Sequence, residues 1–191
     1  RQQYYGAKDF ENLRKSLAHS YRLTAFIAAG VLILSQSFAS LVLTGLHTPS
    51  NIIGMSLLYL RIIFCGIPAT AAYNMFASAL RAMGNSKTPL TAMIIASVLN
   101  VSLDILFVAG FGWGVAGAAI ATVIAQSFSA VYCFLILRRI DIVHLTRADF
   151  MPASGMNARL MKLGIPVVFQ NIIIGVGGPV SYTHLTLPTI A

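Results

Sequence analysis

Four long apolar runs, Leu23–Gly45, Ile52–Leu80, Pro89–Phe111 and Val115–Leu137, constrain this chain more than any other feature. Each reaches the roughly 20 residues that a helix rising about 1.5 Å per residue needs to cross about 30 Å of hydrocarbon. A fifth run, LGIPVVFQNIIIGVGG, starts at Leu163 and ends at Gly178. The links between the complete spans are short, so neighbouring helices are expected to run antiparallel. The fold class expected is all-α integral membrane, with four complete transmembrane helices and the start of a fifth. Composition agrees: 57% of the 191 residues are hydrophobic and 9% charged, against about 45–50% and about 25% in soluble domains. So few charges could not cover a protein of 20.5 kDa in water, and the mean hydropathy is +0.79. A soluble globular enzyme is excluded as the default.

Charge placement then suggests orientation. All 13 Lys and Arg except Arg61 lie in the alternate segments: before the first span, in RAMGNSKT, and after the fourth span. The links around Thr48–Asn51 and Gly110–Gly114 hold no charged residue. Basic residues near span ends favour the cytoplasm, so the N-terminal segment reads as cytoplasmic and the uncharged links as external. Arg61, inside the second span, either snorkels toward the external interface or serves as an inward-facing cation.

The expected organisation is a cytoplasmic segment at 1–22, spans over 23–137, a basic linker at 138–162 and the start of another span at 163–178. Within the linker, MNARLMKL suits a short amphipathic helix on the cytoplasmic face. The opening RQQYYGAKDFENLRKS reads as the interior of a longer protein. Residues 179–191 read as a non-native tail, because VSYTHLTLPT at Val180–Thr189 resembles the translation of a transposon-end sequencing adapter. His184 and Tyr182 are therefore given no function.

Few residues inside the spans carry chemistry. Asp104 is the only carboxylate between Glu11 and Asp141. An aspartate at the centre of a membrane helix costs about 2.5–3.5 kcal/mol on the insertion scale. It reads as a functional group facing the bundle interior or, since Gly110 is near, as a carboxylate hydrated by an external funnel. Asn100 lies one helical turn before it on the same face. A carboxylate and an amide in one buried site could hold and release a proton, or with a hydroxyl could hold a dehydrated sodium ion. In the fourth span Gly117, Ala121 and Ala125 form a smooth stripe for close helix packing. Thr122 lies beside that stripe, and its hydroxyl either joins Asn100 and Asp104 or bonds its own backbone. Pro68 either kinks the second span and exposes a carbonyl or marks a static bend, with Asn74 further along the same run. Pro68, Asn74, Pro166 and Gln170 are structural or gating candidates.

Other classes find little support. Cys65 and Cys133 have no CxxC spacing and read as small hydrophobes, with no disulfide or metal site expected. No two histidines share a helix face, and GxSxG, HExxH and phosphate-loop motifs are absent from the sequence, so neither an enzyme nor a cofactor is expected. Basic residues spread over several loops without aromatic interleaving argue against nucleic acid.

Several linked stretches resemble the MATE family of multidrug and toxic compound extrusion transporters, over Tyr4–Gly178. They are YYGAKDFENLRK, ALRAMGNSKTPL at Ala79–Leu90, LNVSLDILFV at Leu99–Val108, GWGVAGAAIATVIAQ at Gly112–Gln126, and KLGIPVVFQN at Lys162–Asn171. The sequence is most similar to bacterial members of the DinF and NorM kind. The resemblance implies a twelve-helix fold of two six-helix bundles, with the four complete spans as the third to sixth helices. It also implies that the first two helices and nearly all of the second bundle lie outside this chain. Members exchange Na+ or H+ for cationic amphipathic drugs by alternating access. By the same resemblance Asn100, Asp104 and Thr122 match the ion site of the first bundle, whose partner aspartate lies on the missing first helix. The partners implied are the lipid bilayer, cationic small-molecule drugs and the remainder of the transporter. Alternatives are a lipid-linked oligosaccharide flippase of the same superfamily, for which only Arg61 offers a cation in the spans, a non-functional truncated membrane fragment, or a noncatalytic scaffold.

Overall fold

A computed structural model of the chain describes residues 10–45 and 49–140, together with Lys162 and Ile165. These helices belong to the first of two units, Arg1–Met151. Pro166, Gln170, most of the MNARLMKL stretch and the tail lie outside the described residues.

The described chain is helical: α1 Phe10–Gly45, α2 Ile53–Cys65, α3 Ile67–Ala82, α4 Lys87–Asp104 continuing as a π-helical turn over Ile105–Gly110, and α5 Gly114–Arg138. Together they supply four stretches long and apolar enough to cross a membrane: Arg14–Gly45, Ile53–Ala82, Lys87–Gly110 and Gly114–Arg138. The fourth agrees with the apolar run to within a residue at each end. The first helix begins well before Leu23, because Ser16, Leu17, Ala18, His19 and Ser20 are buried against neighbouring helices despite their mixed polarity. At 36 residues α1 is about 54 Å long, more than a bilayer core needs.

The second run, continuous in apolarity, is two helices separated by Gly66. Pro68 lies in the first turn of α3, where its missing N–H leaves no helical bond unmade. The interruption therefore falls two residues before the proline, at Gly66, whose N–H donates to Ile63 O at 2.9 Å in a tightened turn. Gly66 is closely covered, since a Cβ there would stand 2.8 Å from Gln126 Oε1, 3.0 Å from Ile63 O and 3.1 Å from Val123 Cγ2, and its neighbours would have to give way.

The broken helix is sandwiched. α1 and α5 each pack along both of its halves, and α4 packs mainly on α5 and also touches α3. Every fourth residue of α5, namely Gly117, Ala121, Ala125, Ser129, Cys133 and Leu137, is buried. This extends the small-residue stripe read from the sequence along the whole helix, with larger side chains toward one end. There Leu17, Met75, Leu80, Cys133 and Leu137 form the core, flanked by Tyr21, Phe76 and Tyr132. This end also carries Arg14, Arg22, Arg81, Lys87, Arg138 and Arg139 and is called the basic end below.

The turn from α3 to α4 at the basic end is closed by hydrogen bonds from Asn85 N to Leu80 O, 2.9 Å, and from Gly84 N to Arg81 O, 3.1 Å. Gly84 has φ of 82°, the left-handed conformation that such a helix stop needs. Asn85 Oδ1 then accepts from Thr88 N at 3.1 Å, satisfying a free donor at the start of α4. At the opposite, uncharged end, Phe107, Phe111 and Trp113 cluster with ring centroids 5.1–6.0 Å apart.

Many large apolar side chains point outward, among them Phe26, Ile33, Leu34 and Leu41 on α1 and Val98, Val101 and Ile105 on the third span. In water such a surface would aggregate; against lipid tails or further helices it is at rest.

Candidate functional site

Between α3, α4 and α5 lies a cavity of about 230 Å³. Its walls are mostly apolar but carry Thr70, Tyr73, Asn100, Thr122 and Gln126. Polar side chains reach the interior because the stripe of glycine and alanine on α5 lets α4 approach closely and leaves no bulk to fill the space beside it.

Asn100 and Thr122, both half-buried, meet across this cavity, with Asn100 Nδ2 donating to Thr122 Oγ1 at 3.4 Å. The Thr122 hydroxyl donates in turn to Ala118 O of its own helix, 3.0 Å. The two alternatives for Thr122 therefore coexist, since a hydroxyl can donate to its backbone while accepting from a neighbour.

Asp104 is placed differently. It is the last residue of regular α-helix in the third span and precedes the π-helical turn, where Phe111 N reaches back to Leu106 O at 2.9 Å. Its Oδ1 is enclosed and has no hydrogen-bond partner. Asp104 shares a helix face with Asn100 one turn away but does not line the cavity itself. An enclosed carboxylate oxygen without a donor is costly to leave unsatisfied. The oxygens of Asp104, Asn100 and Thr122 are hard donors. No group of three His, Cys, Asp or Glu side chains with metal-binding geometry occurs among the described residues.

The π-helical turn rests on Gly117, where a Cβ would stand 3.0 Å from Phe107 Cβ and 3.1 Å from Trp113 Cβ. Of the other residues singled out in the sequence, Pro68 borders a second cavity of about 290 Å³ between α1 and α3, whereas Asn74 is exposed and borders neither. Arg61 is exposed on α2, and its backbone oxygen accepts from Gln36 Nε2 at 2.9 Å.

Thr70 and Gln126 were not singled out in the sequence. The signal was present, since Gln126 follows Thr122 by four residues and so falls on its face of the helix. What could not be read was its partner: the Thr70 hydroxyl donates to Gln126 Oε1 at 2.9 Å across a separation of 56 residues.

Membrane-length helices packed through small residues around a few polar groups define a segment of a multi-pass membrane protein. The chain belongs to the MatE family of multidrug efflux transporters, which are not enzymes; the family pattern matches residues 2–106. It is 37% identical over 136 residues to a Bacillus subtilis (strain 168) protein named "Probable multidrug resistance protein YpnP", covering 71% of this chain and 30% of that one. A second B. subtilis protein, "Probable multidrug resistance protein YoeA", is 28% identical over 180 residues, 90% of this chain and 39% of its own length. The chain thus spans well under half the length of these relatives. Among solved structures, the inward-facing conformation of a multidrug resistance MATE family transporter of the MOP superfamily superposes with a TM-score of 0.80. That likeness, at 24% identity, covers 86% of this chain and 38% of the other. The fold is therefore part of the MATE fold.

Proposed function

We propose that the chain is part of a secondary active antiporter that exchanges Na+ or H+ for cationic amphipathic drugs by alternating access. Asp104, Asn100 and Thr122 would form its ion-coupling site. The observation that carries this reading is the enclosed, unpartnered Oδ1 of Asp104, one helical turn from an asparagine that bonds Thr122. A group so placed is stable when a proton or sodium ion satisfies it and unstable when nothing does. That difference is what lets ion binding bias one conformation over another.

In this reading the four spans are the third to sixth helices of a twelve-helix transporter, residues 138–162 link its two bundles, and 163–178 begin the next helix. Residues 1–22 and the basic end face the bacterial cytoplasm, and residues 179–191 are not native. Pro166 and Gln170 remain gating candidates in the second bundle. The relatives' names as probable multidrug resistance proteins support a drug over a lipid-linked oligosaccharide as substrate, and the cavity lining among the described residues, which carries no Lys or Arg, is compatible with a cationic one.

The test is Asp104→Asn in the complete transporter carrying this segment. Ion-driven efflux of ethidium from cells or proteoliposomes is expected to vanish while membrane insertion and protein yield are retained. Unchanged efflux would remove Asp104 from the coupling role.

A further inference from the structure

The break at Gly66 is held from both sides by a glutamine. From α1, Gln36 Nε2 donates to Arg61 O at 2.9 Å and to Cys65 Sγ at 3.3 Å, securing the last turn of α2. From α5, Gln126 lies over Gly66 itself, so close that a Cβ on Gly66 would stand 2.8 Å from its Oε1. Gln126 also faces the cavity that holds Asn100 and Thr122. One side chain thus touches both the polar cavity and the bend of the broken helix.

The contact between them is a single hydroxyl proton with two acceptors. Thr70 Oγ1 lies 2.9 Å from Gln126 Oε1 and 3.2 Å from Gly66 O. Gly66 O already accepts from Thr70 N at 3.0 Å, the first backbone bond of the helix beyond the break. A hydroxyl has one proton to donate, so more of it for Gln126 means less for Gly66 O. A cavity occupant that offers positive charge or N–H groups draws Gln126 Oε1 toward itself. The Thr70 proton then passes wholly to Gly66 O and tightens the turn at the bend.

Resting on the transporter reading above, we propose that Gln126 is a positioning residue that couples the occupancy of the Asn100–Thr122 cavity to the bend at Gly66 through the Thr70 hydroxyl. Gln36 anchors the other half of the same helix, so that a change at the bend is delivered to α3. The coupling runs through named atoms in contact, and it requires that the bend take two arrangements of similar free energy.

The experiment uses the complete transporter carrying this segment, with ethidium as the cationic probe. Hydrogen–deuterium exchange across residues 62–72 is followed with and without ethidium, alongside ethidium affinity. In the unmutated protein, ethidium is expected to change exchange at the bend by about fivefold, the effect of one net hydrogen bond. In Thr70→Val that response is lost while ethidium affinity changes by no more than about fivefold, the effect of one net hydrogen bond; in Gln126→Leu the response is lost together with a larger fall in affinity, because that side chain itself meets the occupant. Thr70→Ser, which keeps the hydroxyl, retains the response. Turnover in proteoliposomes should fall in Thr70→Val, Gln126→Leu and the double variant by the same factor, because all three cut one path. An undiminished exchange response in Gln126→Leu, or turnover losses that multiply in the double variant, would overturn the coupling and leave the transporter reading standing. Failure of the unmutated protein to bind ethidium would sink the drug-transport reading and this coupling with it. If either single variant fails to fold, the other and Thr70→Ser still decide.

Discussion

The two ends of the bundle are built on different principles. At the basic end, large side chains interlock: Leu17, Leu80 and Leu137 are at most 1% exposed. Tyr21, Phe76 and Phe134 form a chain of rings with centroids 5.3–5.4 Å apart, and Arg138 lies over the Phe134 ring at 5.6 Å. Toward the other end α5 offers glycine and alanine, the third span ends in a π-helical turn, and Phe111 and Trp113 remain about half exposed. Interlocked side chains have one good arrangement, because every displacement opens a void or a clash. Small residues and irregular helix have several arrangements of similar energy, and the polar cavity, Asp104 and the break at Gly66 all lie outside the interlocked core. The difference teaches that one bundle can set a tightly interlocked base against a region of small residues and irregular helix, where its polar groups collect.

That contrast can be broken or sharpened by substitution. The largest effect is expected for Leu80→Ala at the interlocked end. Removing a fully buried leucine leaves a cavity and costs about 2–5 kcal/mol, read as a lower midpoint of thermal unfolding in detergent. Emission from Trp113, the single tryptophan, should not shift in the folded variant, because the perturbation is confined to the other end. Gly117→Ala comes next, since its methyl group meets Phe107 and Trp113 at 3.0–3.1 Å and overpacking of this kind costs about 1–3 kcal/mol. Here Trp113 emission should shift even where stability changes little. A silent Trp113 would mean that the small-residue region is as rigid as the base. The smallest effect is expected for Gly84→Ala, whose φ of 82° places an alanine in the left-handed region at a cost of about 1–2 kcal/mol. It should lower the unfolding midpoint slightly and leave both ethidium efflux and Trp113 emission unchanged.

Much of the fold was legible because a membrane span announces itself by length and apolarity, and the four runs match the four helical stretches. The first helix starts earlier than the apolar run because Ser16, His19 and Ser20 are buried by neighbours, with Ser20 Oγ and His19 Nδ1 each bonding a backbone oxygen four residues back. Composition cannot reveal such satisfaction. The second run looks like one helix because Gly66 is as compatible with an apolar span as any residue. Gln126 and Val123, arriving from α5, crowd the place where a side chain would stand. Of the candidate site, Asn100 and Thr122 were legible by family resemblance and do meet, whereas Thr70 and Gln126 were hidden, because an isolated polar residue in a span says nothing about which helix it faces.

Local sequence determined what acts over a few residues or over the whole solvent: which stretches enter the bilayer, which links carry charge, and which face of the fourth span is small. These follow from transfer free energies and helical periodicity, which need no partner. Tertiary structure decided where the second span breaks, how the Thr70 proton is shared, and that Asp104 ends regular helix with an unpartnered oxygen. Each of these is a relation between atoms on different helices or in an irregular turn, set by the distance at which backbones can pack.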